Sequence, residues 1–188
     1  MTEILTPHIS HGVAFCINDY GVVITGESAI GKSDLALKLI ERGHKFIADD
    51  HIELIRVDNN LNIQAHDKLG GFIYIRDIGF VDVKATYGNN SLISQHKLNF
   101  IIELIKDAWI PGHACHSTEI TKGSFCYTEI LGQQIPTIKL NIINNRPLEL
   151  LIELAVKCKQ LLDKGLDANQ NFIDKQQSII LKDMDSQI

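Results

Sequence analysis

GVVITGESAIGKSDLALKL, residues 21–39, decides how the rest of the chain is read. Val22, Val23, Ile24 and Thr25 are all β-branched, as a buried strand prefers. Residues 33–42 then predict a helix, with Leu35 and Leu39, and Ala36 and Ile40, spaced one turn apart. Gly43 stands where a helix-ending glycine belongs. Between strand and helix lie Gly26, Glu27, Ser28, Ala29, Ile30, Gly31, Lys32 and Ser33, a glycine, four residues, then Gly-Lys-Ser. In that context the pattern reads as a loop that binds nucleotide phosphates. Gly26 and Gly31 permit torsions that let successive N–H groups point at phosphate oxygens, and the helix start adds its positive dipole end. Lys32 supplies a full charge near the β- and γ-phosphates, and the Ser33 hydroxyl can hold Mg²⁺. A chance match in a loop is the bland alternative, and the flanking strand and helix argue against it.

The next strand, residues 45–48, ends at Asp49 and Asp50. An apolar strand ending in acid beside the loop suits a magnesium-associated carboxylate, or a base that takes the proton of a hydroxyl nucleophile. Adjacent residues on a strand point to opposite sides, so only one acid easily faces the nucleotide. The plainer reading makes both of them solvated turn residues.

Around this core the pattern predicts a strand at 13–17, a turn at 18–21 and a strand at 52–57 followed by a turn at 58–60. Residues 70–83 mix strand and turn signals. Leu98, Phe100, Ile102 and Leu104 alternate as a strand, while Ile101, Ile105 and Trp109 also fit a helical face. A long loop is expected over 110–125. A second helix spans 147–164, with Asn145 as cap, Pro147 in the first turn and Gly165 at its end. Its stripe of Leu148, Leu151, Ile152, Ala155, Cys158 and Leu162 suits a core or a subunit interface. A short helix is expected at 172–181, then a polar tail.

With 188 residues, 45% hydrophobic and 22% charged, the chain suits a globular domain with its own core. The net charge of −5, with no Lys/Arg cluster, argues against a nucleic-acid binder. No apolar run is long enough to span a membrane, and the N-terminus lacks the order of a secretory signal. Cys16, Cys115, Cys126 and Cys158 are scattered, which fits reduced thiols in a cytoplasm. His113, Cys115 and His116 are closely spaced but lack a clear fourth ligand, so an active-site loop is preferred to a zinc site.

These residues together resemble the HPr kinase/phosphorylase family. The stretch GVVITGESAIGKSDLALKLIERGHKFIADDHIEL is similar to its phosphate loop, helix and Asp-Asp strand. His11-Gly12, IRDIGFVDV at 75–83, EILGQQIPTIKL at 129–140, Arg146 and LLIELA extend the likeness to about residue 165. The resemblance implies an α/β P-loop kinase domain with a central mixed sheet and flanking helices. Residues 1–165 would be the catalytic domain, as in the family's short forms, and 166–188 a C-terminal helix and tail. It also implies a cytoplasmic hexamer that uses ATP and Mg²⁺ to phosphorylate a serine of the phosphocarrier HPr, with reverse phosphorolysis. Catalytic roles carry over to His11, Lys32 and Asp50, the last as base in the forward direction and acid in reverse. Arg76 and Arg146 fall in the substrate and phosphorolysis regions. The chain departs from the family pattern at Tyr74, where a metal-binding glutamate is expected, and at Asp77, where the family has glycine. A further arginine has no match in WIPGHACHSTE, and the phosphorolysis segment is reduced to IINNR. Two other readings stay open: a nucleotide-binding regulatory module, and a P-loop kinase acting on a small molecule.

Overall fold

The computed structural model describes residues 8–65, 70–106, 125–143 and 146–185. In chain order the elements are β1 (His8–Ser10), β2 (Val13–Ile17), β3 (Tyr20–Gly26), α1 (Lys32–Glu41), β4 (Lys45–Asp49), β5 (Ile52–Val57) and β6 (Asn60–Ala65). There follow β7 (Phe72–Ile75), β8 (Gly79–Asp82), α2 (Val83–Tyr87), β9 (Gln95–Ile105), β10 (Phe125–Ile130), β11 (Gln133–Asn141), α3 (Leu148–Asp163) and α4 (Ala168–Asp185). The result is the mixed α/β architecture expected, a central mixed sheet with flanking helices.

β3 is the hub. Val22, Val23 and Ile24 are all at most 2% exposed, so both faces of the strand are covered. β3 pairs antiparallel with β2 and parallel with β9, and β2 pairs antiparallel with β4. β3 and β4 therefore run the same way, with β2 between them. β11 runs parallel to β9, so the carboxyl ends of β3, β4, β9 and β11 share one edge. In open α/β sheets that edge is where ligands bind.

β9 settles the ambiguity between strand and helix at residues 98–105. It is a strand with both faces buried, so Ile101 is as covered as Phe100 and Ile102. A strand buried on both sides loses clean alternation, which is why a helical face could be traced through it. Its first residues pair with β6 and its last with β11, so β9 joins the central strands to the antiparallel β1–β5–β6 ladder.

Two apolar clusters lie on the two faces of the sheet. One joins Phe15, Ile24, Phe100 and Ile102 to Leu35, Leu39, Ile152 and Val156 of α1 and α3. The other joins Ala14, Val23 and Ile101 to Ile52, Leu54, Leu61 and Ile63 of β5 and β6. The α3 stripe thus faces the core, with Ile152 and Val156 fully buried at its centre. Arg42 donates from Nε and Nη2 to the two oxygens of Glu153 at 2.6 and 2.7 Å, tying the end of α1 to α3. His44 Nε2 reaches the same carboxylate at 2.8 Å. Arg42 foremost, with help from His44, holds Glu153 well below the carboxylate range, at about 2.

Several boundaries differ from the sequence reading. Pro147 is itself the residue before α3, with no side-chain cap, and Asn145 lies outside the described residues. α1 and α3 both end in the paired backbone bonds of a Schellman motif, at Gly43 and Gly165 as expected. α4 is longer than 172–181, because Asp167 Oδ1 accepts from the N–H of Asn169 and Gln170 at 2.9 and 3.1 Å and starts the helix earlier. The segment at 70–83 is the β7–β8 hairpin, followed by α2 with Asp82 capping Ala85 N–H at 2.9 Å. Most of the loop expected at 110–125, with Trp109, His113, Cys115 and His116, lies outside the described residues.

Candidate active site

The phosphate loop grows out of β3 and turns directly into α1. Gly26 sits where β9 passes closely: a Cβ there would lie 2.8 Å from the Leu104 carbonyl oxygen. Gly31 has open space around it but adopts φ 97°, the left-handed conformation that turns the chain into the helix. Ile30, 7% exposed, pins the loop to the core. Lys32 folds back across the loop and donates from Nζ to the carbonyls of Gly26 and Glu27 at 2.9 and 2.8 Å. The ammonium is thus held over the loop's mouth, where it can meet phosphate oxygens. Ser33 follows in the first turn of α1.

The two acids at the end of β4 are treated differently by the fold. Asp49 is partly buried, and its carboxylate accepts the backbone N–H of Tyr74 from the β7–β8 hairpin. Burial pushes its pKa up to about 6; the Asp50 charge adds to this, while backbone hydrogen bonds and Lys32 oppose it. Asp49 is therefore within electrostatic reach of the loop lysine.

Asp50 lies in a strained turn. Its φ is 63°, left-handed for a residue with a side chain, and His51 N–H bonds back to the Asp49 carbonyl at 2.8 Å. Asp50 N–H donates to the Gly12 carbonyl at 2.8 Å, and its own carbonyl accepts from His11 Nδ1 at 3.2 Å. Each carboxylate oxygen has an imidazole nearby, with His11 Nδ1 3.7 Å from Oδ1 and His51 Nδ1 3.7 Å from Oδ2. The two rings meet edge to face, centroids 5.5 Å apart. So the structure brings together His11 and Asp50, which are distant in sequence, and adds His51. Nothing in the sequence pattern singled out His51, since only the left-handed turn folds it back beside Asp50.

The remaining predicted residues lie around this edge. Arg76 is exposed in the β7–β8 turn, two residues beyond Tyr74. Arg146 follows the carboxyl end of β11 and donates from Nη1 to the Asn141 carbonyl at 3.4 Å. The Tyr74 ring packs edge to face on Phe80 on the exposed side of the hairpin, 5.3 Å between centroids. Asp77 occupies a left-handed turn position, φ 69°. Among the described residues, no three His, Cys, Asp or Glu side chains cluster as a metal cage.

The HPr Serine kinase C-terminal domain family model matches residues 3–176. The chain belongs to that family. HPr kinase/phosphorylase of Burkholderia cenocepacia (strain HI2424) is 30% identical over 191 residues, covering all of this chain and 56% of the relative. The Paraburkholderia phymatum protein of the same name gives the same figures. The chain therefore spans little more than half the length of these curated relatives. The solved structure of the Hpr(Ser) kinase/phosphatase from Coxiella burnetii superposes with a TM-score of 0.77 at 34% identity, covering 88% of this chain and 98% of that one. Among the described residues, no helix is long and apolar enough to cross a membrane.

Proposed function

We propose that the chain is an ATP-dependent protein-serine kinase acting on HPr or a related small phosphocarrier, with phosphorolysis as the reverse reaction. The observation that carries this reading is the placement of the Asp50 carboxylate, with His11 and His51 near its two oxygens, on the strand edge that also bears the phosphate loop. Residues 26–33 would cradle the phosphates of ATP, and Lys32 would leave the loop carbonyls to meet the β- and γ-phosphates. Ser33 and Asp49 offer hydroxyl and carboxylate oxygens, the donors a hard cation takes, so they would hold Mg²⁺. That ion would supply charge neutralisation between the phosphates.

In the forward direction Asp50 takes the proton of the serine hydroxyl as its oxygen attacks the γ-phosphorus, and ADP leaves. In phosphorolysis it gives a proton to the serine oxygen as inorganic phosphate attacks the phosphoserine phosphorus, releasing serine and pyrophosphate. His11, with Nδ1 on the Asp50 main chain, holds the turn that aims the carboxylate. Arg76 and Arg146 lie where a negatively charged substrate segment would approach. Residues 1–165 form the catalytic domain in this reading, and 166–188 the C-terminal helix and tail. A cytoplasmic homo-oligomer, a hexamer by family resemblance, completes it.

Transfer of labelled γ-phosphate from ATP to purified HPr with Mg²⁺ tests the proposal. Turnover without a protein acceptor would favour a small-molecule kinase instead. The regulatory-module reading draws on Tyr74, which puts a phenol where a metal-binding carboxylate is expected. Intact ATP binding with no transfer to HPr would favour that second reading.

A further inference from the structure

We infer that His51 is a second positioning residue for Asp50, restraining the carboxylate oxygen Oδ2 as His11 restrains Oδ1. The inference rests on the reading of Asp50 as the proton acceptor. The backbone of Asp50 is already fixed at both ends, by Gly12 on its N–H and by His11 on its carbonyl. What remains free is the side-chain torsion. The Asp50 side chain is 74% exposed, so packing does little to select a rotamer. A base must lie within hydrogen-bond reach of the hydroxyl it deprotonates, and small misplacements cost large factors in rate.

The two imidazoles supply the missing restraint. His11 Nδ1 is shared between the Asp50 carbonyl at 3.2 Å and Oδ1 at 3.7 Å. Among the described residues, the nearest acidic oxygen to His51 Nδ1 is Asp50 Oδ2, at 3.7 Å. The edge-to-face contact of the rings keeps the bracket from opening. Backbone geometry sets His51 there, because its N–H closes the turn around Asp50 on the Asp49 carbonyl. A purely structural role for His51 would instead appear as lost stability, and its side chain is 56% exposed.

The test compares His51→Leu with His51→Asn, whose amide nitrogen can stand near the place of Nδ1. Transfer to HPr, KM for ATP and Tm are measured on the full chain. The expected result is a kcat about tenfold lower in the Leu variant, with KM for ATP and Tm unchanged, and most of the rate restored in the Asn variant. A Leu variant with native kcat, equal loss in both variants, or a fall in Tm that accounts for the loss overturns the inference. A native chain that transfers nothing to HPr overturns the kinase reading instead. Positioning is then read from crystal structures of the native and Leu chains. One Asp50 rotamer in the native chain and several in the variant upholds the bracket, and the same single rotamer in both contradicts it.

Discussion

The phosphate loop and the acid turn sit at the carboxyl ends of two strands that run the same way, yet they are built by opposite means. The loop is local. Gly31 makes the left-handed turn into the helix, after a left-handed Ala29 in the same loop, and Lys32 bonds to carbonyls five and six residues back. The acid turn is assembled from afar. Its left-handed residue is an aspartate, and its anchors come from residues 11 and 12 on another strand connection. A binding site that one segment can fold survives small shifts elsewhere. A site that must aim one carboxylate depends on several segments arriving in register.

Changes that attack one region and spare the other sharpen this contrast. Loss of the base itself aside, the largest expected effect is from Lys32→Ala, which removes the loop's cation. Phosphate transfer should fall by about a hundredfold or more, and ATP affinity should fall with it. Radiolabel transfer and a nucleotide titration check both.

Gly12→Val should strike the acid turn through the scaffold. A Cβ at Gly12 would lie 2.3 Å from the Ile24 carbonyl oxygen, so the strand connection must shift and carry the Asp50 anchor with it. Overpacking of this kind costs about 1–3 kcal/mol, seen as a lower Tm together with a lower kcat. Gly31→Ala meets no neighbour within 4 Å but must hold φ 97°. It should weaken ATP binding at a stability cost of only about 1 kcal/mol. Equal effects of the two changes on kcat and on ATP binding would break the contrast.

Asp49→Asn separates the two acids by pH. The folded pKa of Asp49, about 6, lies above its ordinary value of 3.8, so the folded chain binds more protons than the unfolded one between these values. Stability from this group is present below pH 3.8 and lost as pH rises through 6. Asp49→Asn should therefore raise Tm at pH 8 by about 2–4 °C, the shift that follows from roughly 1 kcal/mol in a chain of this size. It should also remove a rise in apparent Mg²⁺ affinity between about pH 5 and 7. Thermal melts and magnesium titrations across that range check the sign.

The smallest effect is expected from Glu153→Gln, far from the site. It breaks the Arg42 clamp between α1 and α3. The folded pKa of Glu153 is depressed to about 2 from 4.5, so its stabilisation is present above pH 4.5 and lost as pH falls toward 2. At neutral pH the variant should melt about 2–4 °C lower with kcat unchanged.

The same division decides what could be read before the structure. The loop, α1, β2 to β5 and α3 carry their own signals: β-branched runs, a one-turn apolar spacing and helix-ending glycines. β1 and β6 have no pattern that stands alone, because they owe their places to pairing with β5 and β9. Asp50 was legible as one of two acids on opposite sides of a strand, but the different surroundings of the two were not. These depend on Tyr74 N–H reaching Asp49 and on a left-handed torsion at Asp50, and neither leaves a trace in spacing. His11 came forward through the family resemblance, and His51 through geometry alone.

The most direct test measures phosphate transfer to HPr by the native, Asp50→Asn and Asp49→Asn chains, with ATP affinity followed in parallel. Asp50 as the base requires that Asp50→Asn lose transfer by about 10²–10⁴-fold while ATP affinity stays within about threefold of native. Asp49→Asn should instead weaken the magnesium dependence of binding. An Asp50→Asn chain that keeps more than about a tenth of native transfer, where general-base catalysis should have been lost, would contradict the account.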